Sequence, residues 1–326
     1  DGGLLNYLPD NRYKTGVVIP ATSLHKNIFD FTTIAIDDIG KFLQNPAKLY
    51  LNKQLHVYYH EEEVLLQDHE LFELDRLETW TLQDACVYLD EAAAQAYFYQ
   101  AKKKGKLPLH NMGIVAFTAL LNDTEVLRAR FQEHRLGFEK QRYVVSLSIG
   151  DSKIEGSIDQ VYGQSFISVC SSSQHLKAFL KDYVRYLSLI ANGHALDMVF
   201  IARDLKDTLY IPTGAISQQE ALQILEQYCT YYKQGHDDYF YFYVALGFND
   251  LNILSGDYDD FWDAYERSIE KEMDYTFKEV YLEKAISFGF FSEDNYQQLC
   301  ANTYAILSPI RDRLPDLFKE IKKDKK

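Results

Sequence analysis

The chain has 326 residues, 47% of them hydrophobic and 14% aromatic; that much apolar surface requires a packed core and excludes a disordered chain. Its formal net charge of −14 excludes a freestanding duplex-binding domain by bulk charge, because phosphate neutralisation supplies much of such a domain's affinity. Acidity of this size favours protein partners, and leaves room only for a local basic strip.

The four cysteines, Cys86, Cys170, Cys229 and Cys300, are far apart and never form Cys-x-x-Cys. Zinc and iron–sulfur sites need clustered thiolates, so no metal and no cofactor is expected. A domain of this size needs no disulfide staple, and a reducing cytoplasm is the expected compartment. No apolar run reaches the roughly 18 residues of a membrane span, and no secretory signal pattern opens the chain. Residues 1–35, beginning at Asp1, hold several turn formers and little periodicity; they read as an extended connector from an upstream domain. Residues 36–326 read as the folded domain.

The first dense stretch is "IDDIGKFLQNPAKLYLNKQL". Asp37 or Asp38 is expected to cap a short helix. Asn45 then caps a second, with Pro46 at its first position, where the missing N–H costs nothing. Leu49, Tyr50 and Leu51 bury one side of it. His56 and His60, four apart and followed by three glutamates, have zinc spacing on a helix, but the intervening Val57, Tyr58 and Tyr59 favour surface histidines on an extended exit. The acidic "HEEEVLLQDHELFELDRLETW" reads as a solvated excursion ending where Thr81 caps a long helix that closes at Lys102, Lys103, Lys104 and Gly105. Those lysines and Lys106 are candidates for nucleic-acid contact. A helix C-terminus followed by glycine also collects cations simply as capping, and this simpler reading is preferred. A further helix, "IVAFTALLNDTEVLRARFQEHRL", follows.

From "RYVVSLSIGDSKIEGSIDQVYGQSFISVC" the period changes to strands, with turns at Gly150-Asp151 and Tyr162-Gly163. A helix then carries apolar residues at 176, 179, 180, 183, 187 and 190 and closes at Gly193. "LDMVFIAR", read as buried, and "TLYIP" are short strands, and "SQQEALQILEQYCTYYKQG" is a capped helix with Gly235 as its stop. The aromatic "DDYFYFYVALGF" has faces to stack bases, though core is the better reading at this hydrophobic density. The remainder reads as helical, with "IKKDKK" as a frayed tail.

The chemistry turns on the strand–turn–strand–helix around Asp159. A magnesium-dependent nuclease needs at least two anionic ligands and a lysine near the attacking water. One Asp ends the first strand of that frame. An acid and a lysine follow two residues apart on the next strand, on the same side because strand side chains alternate. Here the first element is present and the second strand ends in Val169, Cys170, Ser171 and Ser172. No Asp or Glu lies between Asp159 and Asp182, and the only lysines there, Lys177 and Lys181, fall in the following helix. A working site would need acids from distant segments to converge. No Gly-rich phosphate loop and no Gly-x-Ser-x-Gly elbow occurs.

With those residues in view, the chain resembles the C-terminal domain of the RecC family, the gamma subunits of RecBCD-type helicase–nucleases. The resemblance runs in order through "IDDIGKFLQNPAKLYLNKQL", "EEEVLLQDHELFELDRLETWTLQDACV", "LKAFLKDYVRYLSLIANG" and "EALQILEQYCTYYKQGHDDYFYFY". It implies an α/β fold: a degenerate PD-(D/E)XK, RecB-type nuclease-like core with a small mixed sheet and large helical additions. It implies a catalytically inactive site at Asp159, Cys170, Ser171 and Ser172. Asn45 stands where iron–sulfur relatives have a cysteine, so that cluster is expected to be absent. The implied partners are RecB-like and RecD-like motor subunits and DNA ends within the complex, in break repair by recombination. Weak or no DNA binding is expected of the isolated chain, and no membrane contact. The alternatives are an active magnesium-dependent nuclease with displaced ligands and an unrelated protein-binding module.

Overall fold

The computed structural model describes residues 29–58, 74–172, 175–244, 280–290 and 293–318. A six-stranded mixed sheet forms its centre: β1 (Thr33–Ala35), β2 (Lys140–Ile149), β3 (Ser152–Tyr162), β4 (Ser165–Cys170), β5 (Asp197–Ala202) and β6 (Leu209–Ile211). The order runs β1-β3-β4-β5-β6, with β2 on the other edge of β3. Strands β2, β3 and β4 form an antiparallel meander, whereas β4 and β5 are parallel, joined by the crossover helix α6 (His175–Ala191) that such a pair requires. Glycines at positive φ, Gly150 and Gly163, make the two meander turns. Because Thr33–Ala35 pair with Lys153–Glu155 of β3, these three residues belong to the sheet and not to a connector. Residues 1–28 lie outside the described residues.

The two faces of the sheet are covered by different helices. Along β4, Phe166, Ser168 and Cys170 face α6, and Ile167 and Val169 face the opposite way, as strand alternation dictates. Helix α6 joins α1 (Ile36–Gln44) and α7 (Gln218–Asp237) on the first face, where Phe42, Phe166, Phe179, Tyr183 and Phe200 are fully buried. Each such aromatic contributes on the order of 1.5–3 kcal/mol through burial. Helix α5 (His110–Arg135) covers the second face with Leu127 and Phe131 against Ile167, Val199 and Ile201.

Several helix ends differ from the sequence expectation. Helix α1 starts at Ala35 without a side-chain cap; Asp37 and Asp38 lie in its first turn, where their charge favours the helix dipole. Helix α2 (Pro46–Lys53) starts as expected, with the Asn45 side chain accepting from Lys48 N–H. The helix expected from Thr81 is two. Asp75 and Glu78 form a capping box that starts α3 (Arg76–Cys86), and Asp90 caps α4 (Glu91–Lys103). The chain breaks between them because Val87 turns into the α5-side core and the Tyr88 hydroxyl donates to Val169 O. Gly235 is buried inside α7 and does not end it. A Cβ there would overlap the Phe42 ring, so glycine is required by the close approach of α1.

The remaining described helices are α8 (Val280–Ser287) and α9 (Glu293–Arg313). In "DDYFYFYVALGF", Tyr239, Phe240, Phe242 and Tyr243 are buried, as core was preferred; residues past 244 lie outside the described residues, as do His60 and the "IKKDKK" tail. His56 is exposed with φ 53°. Among the described residues no helix is long and apolar enough to cross a membrane.

Candidate functional site

A cavity of about 880 Å³ opens where the C-terminal end of β4 meets α1, α2, α3 and α6. Its location follows from the packing of α1 on α6. Gly40 lies against Lys181, where a Cβ would stand 3.0 Å from Lys181 Cγ, and the Gln44 amide donates to Lys177 O at 2.9 Å. This contact brings Asp37 of α1 beside Arg185 of α6, although 148 residues separate them.

Arg185 organises the floor. Its Nε and Nη2 donate to the two carboxylate oxygens of Asp37 at 2.8 and 3.0 Å, the bidentate fork that only arginine supplies. Its Nη1 donates to Asp182 Oδ1 and to Gln160 Oε1, both at 3.0 Å. The second Asp182 oxygen accepts from the Ser168 hydroxyl. Four elements of the fold are therefore tied through one guanidinium: α1, β3, α6 and, through Asp182, β4.

Arg185, by hydrogen bond, holds the Asp37 carboxyl below its ordinary value. Burial pushes the Asp182 carboxyl upward, opposed by Ser168, Arg185 and Lys181. Asp84, from α3, is likewise raised by burial and then by the neighbouring Asp182 charge. Burial pushes the Cys170 thiol to about 12, which leaves it protonated and unreactive near neutrality.

Asp159 lies elsewhere. Gln141 pairs with Val161 and Tyr143 with Ile158, so two steps on β2 span three on β3. Asp159 and Gln160 form the bulge that results. This restores Ile158 and Val161 to the same core face and sends the two polar side chains different ways. Gln160 meets Arg185, whereas Asp159 is half-exposed and pairs with Lys140 at 2.8 Å. Asp159 lines a second cavity of about 440 Å³, which shares Asp84, Tyr88, Gln160 and Arg185 with the first.

The sequence-predicted residues thus divide. Cys170, Ser171 and Ser172 line the first cavity and Asp159 the second. Ser168 and Cys170 occupy two same-face positions of β4, two residues apart. Lys102 and Lys103 lie in the last turn of α4, with Lys104 at its C-cap; all three and Lys106 are exposed and line neither cavity. Asp84, Asp182 and Arg185 were not singled out by sequence reasoning, and Asp37 was noted only as a helix cap. The one available signal was the Asp182–Arg185 spacing of three on a strongly amphipathic helix, which puts two charges on one face.

These residues do not fit a divalent metal. Magnesium binds through carboxylate oxygens with room for its waters, and here Asp37 and Asp182 are committed to Arg185, while Asp159 points to Lys140. Among the described residues no group of three or more His, Cys, Asp or Glu could hold a metal ion.

A mixed α/β domain is thereby defined, with a polar cavity at the strand ends where one internal guanidinium neutralises Asp37 and Asp182. The sequence model of the RecC C-terminal domain matches residues 31–251, more than half of the chain, and the chain belongs to that family. A curated relative, the RecBCD enzyme subunit RecC of Haemophilus influenzae, is 34% identical over 95 residues. That match covers 29% of this chain and 8% of the relative's length, so the chain spans only a small part of it.

Proposed function

We propose that the chain is a non-catalytic C-terminal domain of a RecC-type subunit, in which a degenerate PD-(D/E)XK nuclease core serves as scaffold. It would support contacts with RecB-type and RecD-type subunits and the processing and separation of strands at DNA ends, in a cytoplasmic repair complex. The element order supports the nuclease ancestry: helix α1, the antiparallel β2–β3–β4, the crossover α6 and the parallel β5. One observation carries the loss of catalysis. Asp37 and Asp182 are neutralised by Arg185, and on this reading Ser168 and Cys170 stand where an acid and a lysine are needed.

The 326-residue chain, incubated with Mg²⁺ or Mn²⁺ and a linear duplex, should leave the DNA intact and should co-elute with RecB-type and RecD-type subunits. Metal-dependent cleavage abolished by Asp159→Ala would overturn the reading.

A second reading, a nuclease with displaced ligands, has one observation in its favour. Asp84 and Asp182 converge on a single cavity beside Lys181 from segments far apart in sequence. The same assay addresses it, with cleavage lost in Asp84→Asn as its signature.

A further inference from the structure

The chain carries a net charge of −14, yet the first cavity inverts that sign. Five cations line it, against two carboxylates; of the five, Arg185 is committed to Asp37 and Asp182, and Lys41 pairs with Asp38 on its own helix. Lys41 and Lys48 come from α1 and α2, and Lys177 and Lys181 from successive turns of α6. A lysine four residues after another lies on the same helix face, so Lys177 and Lys181 share one face of α6, and Lys41 and Lys48 line the same concavity from α1 and α2. The second cavity shares walls with the first and adds Arg135 to the series, together with Lys140, which is paired with Asp159. Cations concentrated in a cleft of an otherwise acidic protein focus the field there, and an anion is drawn to the cleft and not to the general surface.

Aromatic planes accompany the charges. Trp80 of α3 lines the same cavity and is 45% exposed, unusual for the largest apolar side chain. Tyr281 lines it as well, with the Lys48 ammonium 5.3 Å from its ring centroid. Charge alone would suit any polyanion. Charge interleaved with an exposed indole suits a strand whose phosphates repeat along the backbone and whose bases offer flat faces for stacking. A duplex keeps its bases stacked inside and presents phosphates on a wide cylinder, which suits an open basic face better than a cleft.

We propose that the two joined cavities form a metal-free binding track for single-stranded nucleic acid. Lys41, Lys48, Lys177 and Lys181 take the backbone and Trp80 stacks a base. The proposal rests on reading the chain as part of a DNA-processing subunit, and it places the contact in the degenerate nuclease cavity, away from the Lys102–Lys106 run.

The test is fluorescence anisotropy of the 326-residue chain with a labelled 20-nucleotide oligothymidylate across a salt series. A hairpin duplex and a labelled polyglutamate peptide of equal length serve as competitors. Saturable binding is expected to weaken with salt at a log–log slope of roughly −0.7 per contacted phosphate. Lys177→Ala with Lys181→Ala should reduce that slope by about 1.4 and the affinity about tenfold. Trp80→Ala should lower affinity by about tenfold at an unchanged slope, because stacking releases no counterions. Lys102→Ala with Lys103→Ala and Lys104→Ala should change neither.

Absence of oligothymidylate binding overturns the proposal. So does equal competition by the duplex or by polyglutamate, or a slope that responds to the α4 lysines and not to the α6 pair. Failure of the track and failure of the functional reading are separable. Co-elution with the motor subunits without strand binding sinks only the track. Strand binding with metal-dependent cleavage sinks only the non-catalytic reading.

Discussion

Replacing Arg185 by methionine removes the guanidinium while keeping most of the side chain's apolar stem. Four hydrogen bonds are lost, two to Asp37 and one each to Asp182 and Gln160. The consequence is unequal at the two carboxylates. The Asp37 side chain is 46% exposed and is rehydrated, so its part of the loss is small. The Asp182 side chain is 11% exposed, and without Arg185 its described hydrogen-bond partner is Ser168 alone. Removing one partner of a buried pair costs about 3–5 kcal/mol, mostly as the penalty of the stranded charge. With the Arg185 side chain still 20% exposed, the lower end, about 3 kcal/mol, is expected.

Urea unfolding at pH 7, read as a shift in midpoint at constant slope, measures this. Asp182→Asn should cost about 1–2 kcal/mol, since Arg185 keeps Asp37 and Gln160 and the amide still accepts from Ser168. The double variant should then fall about 2 kcal/mol short of the summed single losses. A coupling near zero, or an Arg185→Met cost below about 1 kcal/mol, refutes the idea that Arg185 compensates a buried charge. The same variant carries a qualitative signature. With the internal cation gone, Asp37 and Asp182 become available to a hard dication. Millimolar Mg²⁺ or Ca²⁺ should therefore raise the melting temperature of Arg185→Met, but not that of the parent or the double variant.

Two further outcomes are expected. Gly235→Ala places a methyl into Phe42, whose ring is itself hemmed in by Tyr232 and Phe240; overpacking of about 1–3 kcal/mol outweighs the roughly 1 kcal/mol gained in helix propensity, and a midpoint that rises in urea would contradict the close approach. His236 is buried among Phe29, Phe31 and Tyr232, and burial lowers its pKa from 6.5 to about 4. The unfolded chain takes up the proton below pH 6.5 and the native chain does not until about pH 4, so stability is lost as pH falls through that window, by about 3 kcal/mol at its foot. His236→Phe should flatten that limb, and an unchanged pH profile would count against it.

What the sequence made legible was local. Asn45 and Pro46 announced α2 because a cap and its first residue are neighbours. The meander and α6 were readable because alternation and helical period repeat within ten to twenty residues. The α3–α4 break was hidden, since "LETWTLQDACVYLDEAAA" has no glycine or proline and the chain turns there only because Val87 and Tyr88 find the underside of β4. Gly235 looked like a stop for the same reason: the ring that demands a glycine comes from α1, almost two hundred residues earlier. The absence of an acid and a lysine on β4 was legible. The Asp37–Arg185–Asp182 cluster on the cavity floor was not, because Asp37 and Arg185 meet only through tertiary packing.

The replacement has a physical logic that bears on why such a cavity persists. A nuclease core gathers carboxylates at one end of its sheet, and their repulsion is tolerable only while a dication sits among them. On the proposed nuclease ancestry, with Ser168 and Cys170 on β4 in place of an acid and a lysine, a dication would lose its ligands and any remaining carboxylates would need another counter-charge. Arg185 supplies one permanently, and unlike a metal it is covalently part of α6. Three of its four contacts neutralise Asp37 and Asp182 and the fourth holds Gln160, so the guanidinium that supplies the counter-charge also fixes α1 and β3 against α6. The positive potential of the cavity's lysines persists in an acidic chain, and a cleft of that sign lined by an exposed tryptophan is suited to holding a strand without cutting it.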